Sequence, residues 1–389
     1  MNPVQGVDPD PAPDSLTRAR ALLGRYPIVD GHNDLPFELR EISFYDLTAY
    51  DIGQRQSRTH TDLVRLREGG VGAQFWSVFV PAGFSGTHAV RATLEQIDVV
   101  RRIVARYPDR TALATTAAEV RSAWRAGKLA SLMGAEGGHQ IDESLGVLRA
   151  LFDLGVRYLT LTHNQNVPWA DSATDVEVLG GLNDFGRSVV AELNRLGMLV
   201  DLSHVSPGTM RHALDCAAAP VLFSHSSARA ICDHPRNVPD EILARLPVNG
   251  GVCMVTFVPY FISEDCRQFD AAVTEDMIRV GEDVQDWYAR MGAMRRFSAT
   301  TTRPVATVAQ VADHIEHVRE IAGVAHVGIG GDYDGCDVLP EGLEDVSCYP
   351  RLIAELIDRG WSDEEIRLLS GENALRVLSE ARAGSGQAH

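Results

Sequence analysis

Short, almost uninterrupted apolar runs alternate along the chain with longer amphipathic ones. Eight apolar runs read as strands: residues 26–29, 71–81, 129–136, 158–163, 199–204, 221–225, 252–258 and 327–332. They are continuous rather than alternating, as strands covered on both faces are. Residues 88–107 carry apolar side chains at Val90, Leu94, Ile97, Val100, Ile103 and Val104, close to the helical period. Residues 145–154, 185–196, 210–218, 241–246 and 309–321 repeat that pattern more weakly. Ser15, Asn183 and Ser206 are candidate helix caps. Ser362 with Glu365 three residues on makes a capping box, and a last helical run covers 372–381.

Strands alternating with helices predict a parallel sheet, and eight repeats predict a closed (β/α)8 TIM-type barrel. An open doubly wound sheet is the alternative. Two connections break the rhythm. Residues 36–70 form a long polar first connection. Residues 259–306, after the seventh strand, exceed what a crossover needs and have a helical centre. Long insertions on barrels are usually lids or partner surfaces. The expected organisation is one barrel domain over 15–380 with this insertion, a disordered acidic, Pro-rich segment at 1–14 and a flexible tail at 381–389.

The 389 residues carry a formal net charge of −17, which argues against nucleic acid or an anionic membrane surface as the main partner. No run approaches 18 apolar residues, the N-terminal residues lack the regions of a signal peptide, and the last residues lack the apolar tail of a lipid-anchor signal. The six cysteines form no C-x-x-C pair and read as reduced, mostly buried thiols. A cytoplasmic location without membrane contact is therefore expected.

An apolar strand that ends in a metal-ligand type of residue recurs down the chain. The first runs into Val29-Asp30-Gly31-His32-Asn33-Asp34, where an imidazole and a carboxylate two positions apart aim the same way. Glu136, His163, His204, His225 and Asp332 end later strands. All fall at C-terminal strand ends, the face where barrel enzymes keep their active sites. Any one of them alone, His163 for example, reads equally well as a capping residue; together they converge on one mouth.

Three histidines and two carboxylates exceed what one tetrahedral zinc takes, so two metals are expected, with Glu136 as the shared carboxylate. A carbamylated lysine cannot bridge them. Lys128 is the only lysine, and it precedes the strand that Glu136 ends. Asp332 suits a base that takes a proton from an activated water. Asp334 in the same GIGGDYDG stretch reads as a turn residue or a supporting group. There is no H-E-x-x-H, G-x-S-x-G or Walker lysine motif.

At VDGHNDLP, GAEGG, LTLTHNQNVPWADS, VDLSH, FSHSSARAICDHPRNVPDE and GIGGDYDG the chain resembles the renal (membrane) dipeptidases, zinc dipeptidases of the amidohydrolase type. The resemblance covers nearly everything after residue 15. It implies a (β/α)8 barrel with two zinc ions, one held by His32, Asp34 and Glu136 and the other by Glu136, His204 and His225. It also implies that His163 binds substrate and stabilises the oxyanion, and that Arg236 holds the C-terminal carboxylate of a dipeptide. The implied reaction is attack of a metal-bridging hydroxide on the scissile carbonyl, with Asp332 shuttling the proton. Tolerance of a D-residue at the C-terminal position, a match of Cys232 and Cys266 to a family disulfide, and a homodimer are further implications. Hydrolysis of an N-acyl amino acid or a β-lactam on the same metals is the alternative.

Overall fold

The computed structural model describes residues 14–383. The segments 1–13 and 384–389, on which most of the expected disorder falls, lie outside the described residues. Asp14 and residues 381–383, by contrast, belong to helix ends.

Among the described residues there are nine strands: β1 (Ile28–Asn33), β2 (Val71–Phe79), β3 (Thr111–Leu113), β4 (Leu129–Glu136), β5 (Val156–Thr160), β6 (Leu199–Asp201), β7 (Leu222–Phe223), β8 (Val252–Val255) and β9 (Val327–Ile329). All pairings between them are parallel. The order β2-β1-β9-β8-β7-β6-β5-β4 closes through a β2–β4 pairing, so eight strands form the expected barrel. The ninth, β3, lies outside the eight. It pairs with the first residues of β4, along the edge that β5 joins only from Met133 onward. Three residues of mixed burial left no apolar run for the sequence to show.

Several strands are shorter than their apolar runs. β6 stops at Asp201 and β9 at Ile329, although the runs continue to His204 and Asp332. Three residues beyond each strand end the backbone turns left-handed, at His204 (φ 69°) and Asp332 (φ 59°), which re-aims those side chains. Non-glycine residues hold such φ values uncommonly, Asp and His more readily than most, and such positions cluster at functional sites.

Alternate strand residues fill the barrel. Phe75, Leu132, Tyr158, Leu199, Leu222 and Met254 make one cluster, and it continues into Leu375 and Leu378 of the final helix Asn373–Ala383, which packs against β1, β8 and β9. A larger cluster lies between the strands and the surrounding helices. Helix Gly86–Arg106 buries Ala89, Ala92, Ile97, Val100 and Ile103, while Leu94 of the predicted stripe is 44% exposed. Small residues let this helix sit close to the sheet.

Asn183, Ser206 and the Ser362–Glu365 box cap their helices as predicted. Ser15 does not. Asp14 caps the first helix by accepting from the Thr17 N–H, and the Ser15 hydroxyl turns instead to Asp358. The region predicted as one helix over 241–246 is two short ones, Asp240–Leu243 and Leu246–Asn249. All six cysteines are free thiols, Cys232 and Cys266 included.

The insertion after β8, the barrel's seventh strand, contains helices Pro259–Ile262, Glu264–Val280 and Trp287–Ser298. The two longer helices share a small core of their own, with Phe269, Val273, Met277 and Met294. Gln285 donates to the Thr174 carbonyl at 3.1 Å and Tyr288 to Glu41 at 3.2 Å. The insertion thus ties the loop after β5 to the helix after β1, across the mouth of the barrel.

Candidate active site

Glu136 is the last residue of β4 and is almost wholly buried. Its Oε2 lies 3.4 Å from His32 Nε2; its Oε1 lies 2.9 Å from His204 Nε2 and 3.3 Å from His225 Nε2. The two histidine nitrogens are 3.0 Å apart. On the other flank Asp34 Oδ2 is 3.3 Å from His32 Nε2. Two donors each about 2.1 Å from one tetrahedral ion stand roughly 3.4 Å apart, so these separations are those of groups that share ions.

Asp34 occupies the N-cap position of helix Leu35–Ser43 but makes no side-chain cap bond. Its carboxylate turns to His32 instead. His32 Nε2 and Asp34 Oδ1 are buried without a hydrogen-bond partner. Buried donors and acceptors are normally satisfied, and a divalent cation would satisfy both. The residues present therefore fit a metal.

A layer of hydrogen bonds orients these side chains, as is usual behind metal ligands. The Tyr158 hydroxyl is 2.8 Å from His32 Nδ1, and Ser77 Oγ donates to Glu136 Oε2 at 3.0 Å. Ser224 Oγ donates to buried Asp201 at 2.7 Å and lies 2.8 Å from His225 Nδ1. Asp30 is buried and takes bonds from the His32 N–H, Gln74, the Gly331 N–H and the Tyr349 hydroxyl, which pins β1 to β2 and β9 beside the site. Tyr158 reaches His32 only because residue 134, its neighbour on β4, is glycine; a Cβ there would overlap the phenol ring. None of these supporting groups stands out in the sequence. Tyr158 and Ser77 look like ordinary strand residues, and only Asp30 and Asp201, charges inside apolar runs, carry a signal.

Burial pushes the imidazoles of His204 and His225 well below their ordinary range, against the opposing pull of Glu136. They are held neutral, the form that binds a metal. Burial also raises the Asp332 carboxyl, with His32 opposing and the charges of Asp34 and Glu136 adding to the rise. At His32 burial is outweighed by Tyr158, Glu136 and Asp34, which favour its protonated form. A cluster so rich in negative charge calls for cations.

Asp332 Oδ1 lies 3.9 Å from His32 Nε2, on the Asp34 side. His163 Nε2 lies 3.9 Å from Glu136 Oε1, three residues beyond the end of β5. Arg236, on the loop after β7, is buried beside Phe261, with its guanidinium 5.1 Å from the ring centroid. Its bonds to Ser226 Oγ and the His225 carbonyl are long, 3.5 and 3.4 Å, and its Nε has no partner. All eight residues singled out from the sequence thus meet at one mouth. A cleft of about 530 Å³ opens there, lined among others by Glu136, His163, Arg236, Tyr260, Asp332 and Asp334.

The sequence matches the family model for membrane dipeptidase, peptidase family M19, over residues 16–389. Dipeptidase 3 of Macaca fascicularis is 44% identical over 374 residues, covering 95% of this chain and 68% of that protein. Dipeptidase 3 of Mus musculus is 42% identical, covering 93% and 66%. The chain therefore spans about two thirds of the length of these relatives. The probable dipeptidase PvdM from Pseudomonas aeruginosa shares the fold, with a TM-score of 0.84 at 23% identity over 95% of this chain and 99% of that one. A metallopeptidase from Rhodobacter sphaeroides, liganded with a phosphinate mimic of L-Ala-D-Ala, superposes with a TM-score of 0.76 at 25% identity, covering 91% of this chain and 99% of that one.

The family's description as membrane dipeptidases overturns the expected cytoplasmic location. Among the described residues no helix is long and apolar enough to cross a membrane. That property of a catalytic barrel does not bear on how a protein is held at a membrane surface, and so it could not carry the expectation. By its sequence and its barrel, the chain belongs to the membrane dipeptidase family, peptidase family M19, and is a metal-dependent dipeptidase.

Proposed function

We propose that the chain hydrolyses dipeptides with a free C-terminal carboxylate on a pair of zinc ions, and that it accepts a D-residue at the C-terminal position. The observation that carries the two-ion reading is the split of Glu136: one oxygen faces His32, the other His204 and His225. His32, Asp34 and Glu136 would hold one ion, and Glu136, His204 and His225 the other. Such ions, when bound, supply positive charge that makes a water nucleophilic near neutral pH and polarises a carbonyl.

The chain's own groups do the rest. Arg236 offers a planar fork to the terminal carboxylate, and its partnerless Nε and long internal bonds leave it free to do so. His163 stands at the cleft wall, where it donates to the oxygen of the reacting carbonyl as charge gathers there. Asp332, buried beside the cluster, takes the proton of the attacking water and passes it to the leaving amine. Phe37, Phe79 and Phe261 line the cleft and limit water. The D-residue is supported by the L-Ala-D-Ala mimic bound to the Rhodobacter sphaeroides relative.

A screen of L-Xaa-L-Xaa and L-Xaa-D-Xaa dipeptides, with metal analysis of the same sample, tests this. Turnover of both series is expected. Turnover confined to N-acyl amino acids or β-lactams would assign the site to the alternative reaction.

A further inference from the structure

Asp334 has no role in the chemistry above. It stands on the loop after β9, two residues beyond Asp332, with a left-handed backbone (φ 66°). Its Oδ1 accepts from the His60 N–H at 2.6 Å, and its own N–H donates to His60 Nδ1 at 3.1 Å. This two-way latch joins the β9 loop to the connection after β1 and fixes the direction of the side chain. The other oxygen, Oδ2, is buried and makes no close hydrogen bond; the Thr61 hydroxyl is the side-chain donor beside the carboxyl. The residue is 7% exposed and lines the cleft.

A buried carboxylate served only by neutral donors is costly, and an ammonium group is the donor that relieves it best. The nearby cation Arg65 is committed elsewhere, to Asp62, Asp345 and the Thr59 carbonyl. The strand order adds the decisive relation. Arg236 follows β7 and Asp334 follows β9, so they flank the loop after β8, whose Tyr260 and Phe261 form the cleft wall. The cleft thus has a cationic group on one flank and, on the other, an acidic one that lacks a charged partner. A dipeptide is a zwitterion with opposite charges at its two ends.

We propose that Asp334 Oδ2 accepts a hydrogen bond from the α-ammonium group of the dipeptide, and that this contact makes a free N-terminus a requirement for good turnover. The inference rests on the dipeptidase reading of the site, with Arg236 at the carboxylate end. It explains how one cleft would select a dipeptide over an N-acyl amino acid, which presents the same carboxylate and scissile amide but no ammonium.

The test compares L-Ala-L-Leu with N-propionyl-L-leucine, which has the same shape without the amine, on the metal-loaded chain and its Asp334→Asn variant. Asn keeps an oxygen for the His60 N–H and removes the charge. In the unaltered protein the dipeptide is expected to be strongly preferred. In D334N the ratio of the two kcat/KM values should fall by roughly 10- to 100-fold, mainly through KM for the dipeptide, as loss of a charge-assisted bond implies. An unchanged ratio would overturn the proposal, whether D334N stays fully active or loses both activities equally, since the latter marks a structural residue. If the unaltered protein cleaves L-Ala-L-Leu but does not prefer it over the propionyl compound, the proposal fails and the dipeptidase reading stands; if it cleaves no dipeptide, both fail.

Discussion

Glu136 divides its carboxylate between two sets of partners: Oε2 is 3.4 Å from His32 Nε2, and Oε1 is 2.9 Å from His204 Nε2. No other carboxylate touches both flanks in this way among the described residues. Replacing Glu136 with alanine should therefore disturb both metal positions together. Loss of a mere supporting group costs 10- to 100-fold, so activity should fall by more than about 100-fold. Metal content after desalting, measured beside turnover, checks this; an E136A protein that retains both ions and its rate would contradict it.

The Tyr158 hydroxyl, 2.8 Å from His32 Nδ1, fixes how that imidazole faces the cluster. Tyr158→Phe keeps the ring that fills the barrel and removes this contact together with the hydroxyl's longer bond to the Gly31 carbonyl, 3.3 Å. Metal affinity should drop by roughly 10- to 100-fold, with the folded stability of the loaded protein little changed. Competition with a calibrated chelator measures the affinity. Ser224→Ala, acting through His225 Nδ1, should move it in the same direction.

Arg236 should be read through KM. Arg236→Ala removes the fork for a terminal carboxylate, and KM for dipeptides should rise roughly 10- to 100-fold with a smaller change in kcat. The C-terminal amide of the same dipeptide should be a poor substrate of the unaltered enzyme and should lose little further in the variant. Equal losses on acid and amide would point to collapse of the Phe261 stack rather than to carboxylate recognition.

The legibility of the site varied with how local its determinants are. Glu136 ends its strand where the apolar run ends, so sequence and structure agree to the residue. His163, His204 and Asp332 also sit at the ends of apolar runs, yet their strands stop three residues earlier. The runs stay apolar because the turns beyond the strands are themselves buried, and the left-handed φ at His204 and Asp332 is invisible to hydrophobic patterning. Asp34 looks like a helix cap and sits at one; only the three-dimensional fold turns its carboxylate away. The Asp201–Ser224–His225 chain and the Tyr158–His32 contact join residues far apart along the polypeptide, and a single sequence carries no trace of them. β3 escaped for the opposite reason, being too short and too exposed to leave a pattern.

His314 gives a pH-dependent stability. It is fully buried on helix Val308–Ala322, accepts from the Ala228 N–H at 3.1 Å, and lies 3.0 Å from the Ile262 carbonyl. Burial holds its imidazole down to about 4, although the bond to Ile262 opposes this, against 6.5 for the free group. The unfolded chain takes up a proton near 6.5 and the folded chain not until about 4. The contribution is therefore complete above pH 6.5 and is lost as pH falls toward 4, by roughly 1.4 kcal/mol per pH unit and about 3 kcal/mol in all. His314→Gln should be less stable at pH 7.5, and the deficit should shrink at pH 5 in urea unfolding. A deficit independent of pH would contradict this.

The most direct test of the site is ion stoichiometry measured together with turnover on one sample, as zinc is added back to chelator-treated protein. Full dipeptidase activity should arrive only as the second equivalent per chain is bound, and E136A should fail to reach it at any zinc concentration. Full activity at one equivalent, with no further gain at two, would contradict the account of Glu136 as the carboxylate that two ions share.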